Sequence, residues 1–276
     1  MKRIISCFVF LATTLVVNAA SVDTVNIYSD VMHKDIKCVV IIPDNYYSSL
    51  EFYKNKNYPV VYLLHGYGGW YSNWITRVPQ LKEYSDEYQM IIVCPDGNIS
   101  SWYFDSPVDS SMKYETYVAK EVPDYIDQNY HTIKNRNGRA ITGLSMGGHG
   151  GLFLGFRHAD FFGACGSMSG VVDLSFTKNK YDLIKRIGDT ILNADNWKNY
   201  SVNNIIENYP KDSLAIIFDC GNDDPFLDIN RQLDQKMLSL KIPHDYIERP
   251  GKHDWNYWGN AVKYQLLFFR NYFDRK

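Results

Sequence analysis

The sequence predicts an α/β protein: a mainly parallel central sheet with helices on both faces and an antiparallel hairpin at its start. Two observations carry this. Short apolar runs of buried-strand type recur at residues 60–64, 90–94, 139–142, 164–168 and 214–218. Helix-like patterns lie between them. The clearest is 114–129, where Tyr117, Val118, Val122, Tyr125 and Ile126 fall at helical spacing. Strands that alternate with helices build a parallel sheet covered on both sides.

The elements follow in order. Residues 1–20 stand apart from the fold: Lys2 and Arg3 precede an apolar run to Val17, and Asn18-Ala19-Ala20 supplies small residues for cleavage. This is the three-part pattern of a secretory signal peptide, too short for a permanent membrane anchor. Export to the periplasm or the exterior is therefore expected, with cleavage after Ala19 or Ala20. Residues 22–28 and 36–42 flank Met32-His33-Lys34-Asp35 and read as the opening hairpin. No repeat, low-complexity tract or linker interrupts 21–276, so a single domain is expected. Residues 171–212 are longer than a crossover needs. Helical patterns at 181–192 and 202–209 suggest helices folded over a site and forming part of an acyl pocket.

A net charge of -2 gives no reason to expect nucleic acid or an anionic membrane as partner. Cys38, Cys94, Cys165 and Cys220 each lie in or at the end of an apolar run, where a free thiol acts as a small hydrophobe. Buried thiols are favoured over a disulfide, which the even number would permit. No histidine pair has metal-ligand spacing, so neither metal nor other cofactor is expected.

The chemistry concentrates at Gly143-Leu144-Ser145-Met146-Gly147, a G-x-S-x-G between a strand-like run and a helix-like segment. Such a turn is so tight that the positions two residues either side of the serine can carry almost no side chain, and it exposes the hydroxyl. Serine needs a base to take its proton. His253, in a loop near the C-terminus, is the candidate. His65 and His149 look like packing residues, and the other histidines lack catalytic context. An acid past the 214–218 run completes the order serine, acid, histidine; spacing alone admits Asp223 or Asp224, with Asp219 and Asp228 more distant choices. Upstream, His65-Gly66-Tyr67-Gly68-Gly69 has the form of an oxyanion loop.

These residues resemble the esterase D branch of the α/β hydrolases. That branch holds S-formylglutathione hydrolase, the feruloyl and acetylxylan esterases of carbohydrate esterase family one, and the mycolyltransferases. The likeness rests on Tyr62-Leu63-Leu64-His65-Gly66, Val93-Cys94-Pro95-Asp96-Gly97, Ser145-Met146-Gly147-Gly148, Asp224-Pro225-Phe226-Leu227 and His253-Asp254-Trp255, and it spans nearly the whole chain after residue 20. The resemblance implies the α/β-hydrolase fold and a triad of Ser145, Asp224 and His253. Its D-x-F-L pattern selects Asp224 over Asp223. It also implies an oxyanion hole made by the backbone N–H groups of Tyr67 and Met146. Trp70, Trp74, Trp102, Tyr103, Trp255 and Trp258 crowd the expected rim, and Trp102 and Trp255 are the substrate-binding candidates. The activity implied is hydrolysis of a small-molecule or polysaccharide-linked ester, with feruloyl or acetyl esters of plant cell walls foremost. A mycolyl-type acyltransferase and a general short-chain or S-formylglutathione esterase are the alternatives. A carbohydrate-binding protein on a hydrolase scaffold would have no need of all three triad residues.

Overall fold

The computed structural model describes residues 20–177, 180–209 and 213–275. The expected signal segment, Ala20 excepted, lies outside them. The eight strands are β1 (Ser21–Ser29), β2 (Lys34–Ile42), β3 (Val60–Leu64), β4 (Ile91–Pro95), β5 (Arg139–Gly143), β6 (Ala164–Met168), β7 (Ala215–Gly221) and β8 (Asp245–Arg249). They form one sheet in the order β1-β2-β4-β3-β5-β6-β7-β8. β1 and β2 pair antiparallel, as do β2 and β4, and every later neighbour is parallel. This is the expected mainly parallel sheet with an opening hairpin.

Alternation along each strand divides the apolar side chains between two layers. Val60, Tyr62 and Leu64 of β3 join one core, and Val61 and Leu63 join the other. The principal helices are α1 (Asn73–Arg77), α2 (Leu81–Tyr88), α3 (Val122–Asn129), α4 (Met146–Arg157), α5 (Leu227–Ser239) and α6 (Trp255–Asp274). The first core takes Val122 and Ile126 of α3, Leu152 and Phe153 of α4, and Leu233 of α5. The second takes Trp74 of α1, Leu81 of α2, and Trp258, Ala261, Leu266 and Phe269 of α6. No described helix is long and apolar enough to cross a membrane. Cys38, Cys94, Cys165 and Cys220 are free and buried, on β2, β4, β6 and β7.

Four departures from the sequence reading have physical causes. The 114–129 pattern is one continuous helical path, but Tyr117–Glu121 winds as a π-turn before α3. Pro123 follows that turn and has no N–H to close an α-helical bond onto Ala119. The 214–218 run starts one residue late and continues to Gly221, which places Asp219 inside the strand. β8 adds a strand with no apolar run in the sequence, because it is a half-exposed edge strand of mixed polarity. Finally, the helices expected within 171–212 are short fragments. Leu183–Ile187 stops at Gly188, whose φ is 87°, and Val202–Ile205 passes into the 3₁₀ turn Ile206–Asn208.

Candidate active site

Ser145, Asp224, His253 and the loop from His65 lie beyond the carboxyl ends of the parallel strands, where ligands bind in such sheets. β3 delivers His65, β5 delivers Ser145, and β7 is followed by Asp224.

The turn at Ser145 is strained and closely packed. Ser145 has φ 54° and ψ -114°, outside the normal range for a side-chain-bearing residue. Its N–H donates to Met168 O at 2.9 Å, which ties the turn to β6. A Cβ at Gly143 would come 2.6 Å from the carbonyl oxygens of Leu64 and Gly147, and one at Gly147 would come 2.5 Å from His65 O. Both motif glycines are therefore demanded by backbone approaching backbone.

His253 connects Ser145 to Asp224. Its Nε2 lies 2.9 Å from Ser145 Oγ and its Nδ1 lies 2.8 Å from Asp224 Oδ2. With Nδ1–H donating to the carboxylate, Nε2 is left as acceptor for the serine hydroxyl. The Asp224 side chain is fully buried, and its Oδ1 accepts the Phe226 N–H at 2.9 Å, so the carboxylate is held from both ends. Phe226 and Trp258 each present an edge-on ring contact to the imidazole, with centroids 4.9 Å away. Asp254 caps α6 by accepting the Asn256 and Tyr257 N–H groups, which fixes the chain immediately after His253.

Neither of two rival carboxylates bonds His253, which is held by Asp224. Asp223 is exposed. Asp219 points into the core, where it accepts hydrogen bonds from Tyr257 Oη and Gln265 Nε2, both at 2.8 Å. Burial pushes its pKa up to about 6, against the opposing influence of Gln265, Arg249 and Tyr257.

The loop after β3 adjoins the serine. A Cβ on Gly66 would lie 3.4 Å from Ser145 Cβ. Among the described residues, no protein group accepts the N–H of Tyr67 or of Met146, and Met146 is the first residue of α4. His65 is buried: its Nδ1–H donates to Gly66 O at 2.8 Å, and its Nε2 accepts the Gly97 N–H at 2.8 Å. Burial lowers its pKa, which suits this neutral form. His149 on α4 turns away from Ser145 and bonds Tyr200 O through Nε2 at 2.8 Å. Burial pushes its pKa down to about 4.

A cavity of about 330 Å³ opens over Ser145 and His253. Trp102 and Trp255 both line it, as do Trp70 and Trp258. Trp74 and Tyr103 are buried beneath it; Trp74 donates Nε1–H to Leu64 O, and Tyr103 donates Oη–H to His65 O. Of the described residues of the 171–212 segment, only Val171 and Tyr181 reach the wall, rather than the helical cover expected. Several of its apolar residues, among them Trp197, Val202 and Ile206, pack into the core that α4 shares, while Ile191 and Leu192 are exposed. Tyr181 is held by Trp102 Nε1–H, which donates to its carbonyl at 3.0 Å, and by an edge-on contact with Tyr67. Arg77, Tyr181 and Phe226 are wall residues that the sequence reading did not name. Phe226 alone carried a signal, as the aromatic of the D-x-F-L pattern. Among the described residues no cluster of three metal-binding side chains occurs.

Comparison with known proteins matches this architecture. The Esterase family model covers residues 29–269. A solved structure of a ferulic acid esterase is 32% identical, with a TM-score of 0.77 over 92% of this chain and 98% of that one. An acetyl esterase from Caldicellulosiruptor saccharolyticus is 27% identical over 255 residues, 86% of this chain and 94% of its own length. An esterase from Mycobacterium tuberculosis is 27% identical over 241 residues, 78% of this chain; the match spans about half (51%) of that longer protein. With more than three-quarters of its length inside the family model and a Ser–His–Asp hydrogen-bond chain at its strand ends, the chain belongs to the Esterase family and has the α/β-hydrolase fold.

Proposed function

We propose that this protein hydrolyses carboxylic esters through an acyl-enzyme on Ser145. The observation that carries the reading is the continuous hydrogen-bond chain from Ser145 Oγ through His253 to Asp224. Ser145 Oγ attacks the ester carbonyl as His253 Nε2 takes its proton. Asp224 holds the ring and stabilises the imidazolium that forms. The N–H groups of Tyr67 and Met146 receive the oxyanion, Met146 with the added field of the α4 N-terminus. His253 then protonates the departing alkoxide, and the same base activates water to release the acid.

Feruloyl or acetyl esters of plant cell-wall polysaccharides are the proposed substrates. Support comes from the ferulic acid and acetyl esterase relatives and from a cavity walled largely by aromatic rings. Trp102 and Trp255 are the proposed contacts for a phenolic or sugar ring. Export, proposed from the pattern of residues 1–20, fits an extracellular ester.

The test is a panel of p-nitrophenyl acetate, methyl ferulate, acetylated xylan and feruloylated arabinoxylan fragments. Ser145→Ala should lower kcat on the order of 10⁶-fold with the fold intact. Asp224→Asn should lower it on the order of 10⁴-fold, and exposed Asp223→Asn only a few-fold. Retention of more than a few per cent of activity by purified Ser145→Ala would remove the serine from the mechanism.

A further inference from the structure

The cavity over Ser145 carries a cation with no protein partner among the described residues. Arg77 ends α1 and lines the cavity together with Asn73 and Trp255. It is exposed, and among the described residues it makes no hydrogen bond, ion pair or ring contact. Other arginines of the chain are engaged: Arg139, Arg157, Arg186 and Arg231 each bond a carboxylate, at 2.5–2.8 Å. Among the described residues no aspartate or glutamate lines the cavity either, and Asp224 is buried behind His253. The wall therefore has a net positive end beside neutral aromatic surface. A guanidinium is suited to planar, two-point recognition of a carboxylate.

We propose that Arg77 is a specificity residue that selects esters bearing a carboxylate, an anionic group on the substrate additional to the ester being cleaved. The proposal rests on the esterase reading of Ser145. It extends that reading from an aromatic or acetyl ester to an acidic one, such as an ester on or beside a uronic acid. The carboxylate is the recognised chemistry, and its position on the acyl or the alcohol side is for experiment to separate.

The test compares matched pairs of esters. For the acyl side, p-nitrophenyl hydrogen succinate is set against p-nitrophenyl butyrate. For the alcohol side, 3-acetoxybenzoate is set against 3-acetoxybenzamide. The readout is the ratio of kcat/KM for the acidic ester to that for its neutral partner, taken within each variant so that any loss of folded enzyme cancels. In at least one pair, Arg77→Gln should lower the ratio roughly fivefold and Arg77→Glu further, with Arg77→Lys in between. Raising the salt concentration should shrink the wild-type ratio toward that of Arg77→Gln. Ratios that stay within twofold of wild type for both the Gln and Glu variants, in both pairs, would overturn the proposal. Wild-type protein that cleaves none of the four esters would instead count against the hydrolase reading. Arg77 would then be judged by indole-fluorescence titration with benzoate and benzamide. Tighter benzoate binding that is lost in Arg77→Gln supports the assignment, and equal binding in both proteins refutes it.

Discussion

The elbow at Ser145 and the rim of the cavity both hold residues at positive φ, but they do so by different means. At the elbow a single residue, Ser145, is strained, and the surrounding backbone enforces it: carbonyl oxygens close on Gly143 and Gly147 from several sides. At the rim the strain falls on a consecutive pair, Tyr181-Asp182, with φ 60° and 57°, and a second such pair, Trp102-Tyr103 at 56° and 61°, is buried against it. Side-chain bonds tie that region together: Trp102 Nε1–H to Tyr181 O, Tyr67 Oη–H to Asp182 Oδ2 at 3.2 Å, and Lys185 Nζ to Asp182 at 2.8 Å. Each left-handed non-glycine residue costs about 1 kcal/mol or more. The nucleophile's strain is thus built into close-packed main chain, whereas that of Tyr181-Asp182 is offset by separate, partly exposed contacts. Attack geometry is fixed, and the shape of the cavity mouth is open to alteration by substitution.

The largest expected effect lies at the elbow. Gly147→Ala drives a methyl group into His65 O and Leu64 O, with no flexible side chain to give way. A loss on the order of 4 kcal/mol in stability is expected, together with failure to react with a fluorophosphonate probe. Chemical denaturation of the purified variant measures the first. A variant within 1 kcal/mol of wild type would show that the elbow is as adjustable as the rim.

An intermediate effect sharpens the comparison at the joint between the two regions, where His149 of α4 bonds Tyr200 of the 171–212 segment. His149 has its pKa lowered to about 4, so the folded state keeps it neutral. Its contribution is complete above the unfolded value near 6.5 and is lost as pH falls toward 4, by about 3 kcal/mol. Asp219, raised to about 6, has the opposite sign: its contribution is greatest below the unfolded value near 3.9 and is lost as pH rises through 6, again by about 3 kcal/mol. Relative to wild type, His149→Gln should therefore become less destabilising as pH falls from 6.5 to 4. Asp219→Asn should become less destabilising as pH rises over the same range. Urea midpoints across the series decide the matter; parallel curves would mean that neither group is held in the protonation state its burial implies.

The smallest effect is expected at the rim. Asp182→Gly relieves a positive φ and at the same time removes the bonds to Tyr67 and Lys185. These contributions oppose each other, and the net change in stability should stay within about 1 kcal/mol. A loss of several kcal/mol would place the rim in the same close-packed class as the elbow.

The sequence was most legible where one local rule decides the structure. Buried parallel strands such as 60–64 announce themselves as unbroken apolar runs, and the glycines around Ser145 report a steric demand within five residues. Asp224 needed the longer D-x-F-L pattern, since spacing alone left Asp223 open. What stayed hidden depends on partners distant in sequence. β8 has only one neighbouring strand and a mixed face, so no periodic signal marks it. Arg77 and Tyr181 carry no motif and reach the cavity because α1 and residues 180–182 are brought there by packing. The 171–212 segment has helical periodicity, yet Gly188 and the competing needs of the core shared with α4 break it into single turns. Trp102 and Trp255 line the wall, and Trp102 does so from a left-handed backbone that no propensity favours for a bulky residue.

The four buried thiols give the sheet its own set of reporters. Burial raises the pKa of Cys38, Cys94, Cys165 and Cys220, which suppresses the thiolate that alkylating reagents attack. In the native state they are silent, and each becomes reactive only when its own strand opens. Because they are spread over β2, β4, β6 and β7, mass-resolved alkylation would follow the opening of the antiparallel end and of the strands beside the nucleophile separately, and so tell whether the domain unfolds as one cooperative unit or frays from its hairpin inward.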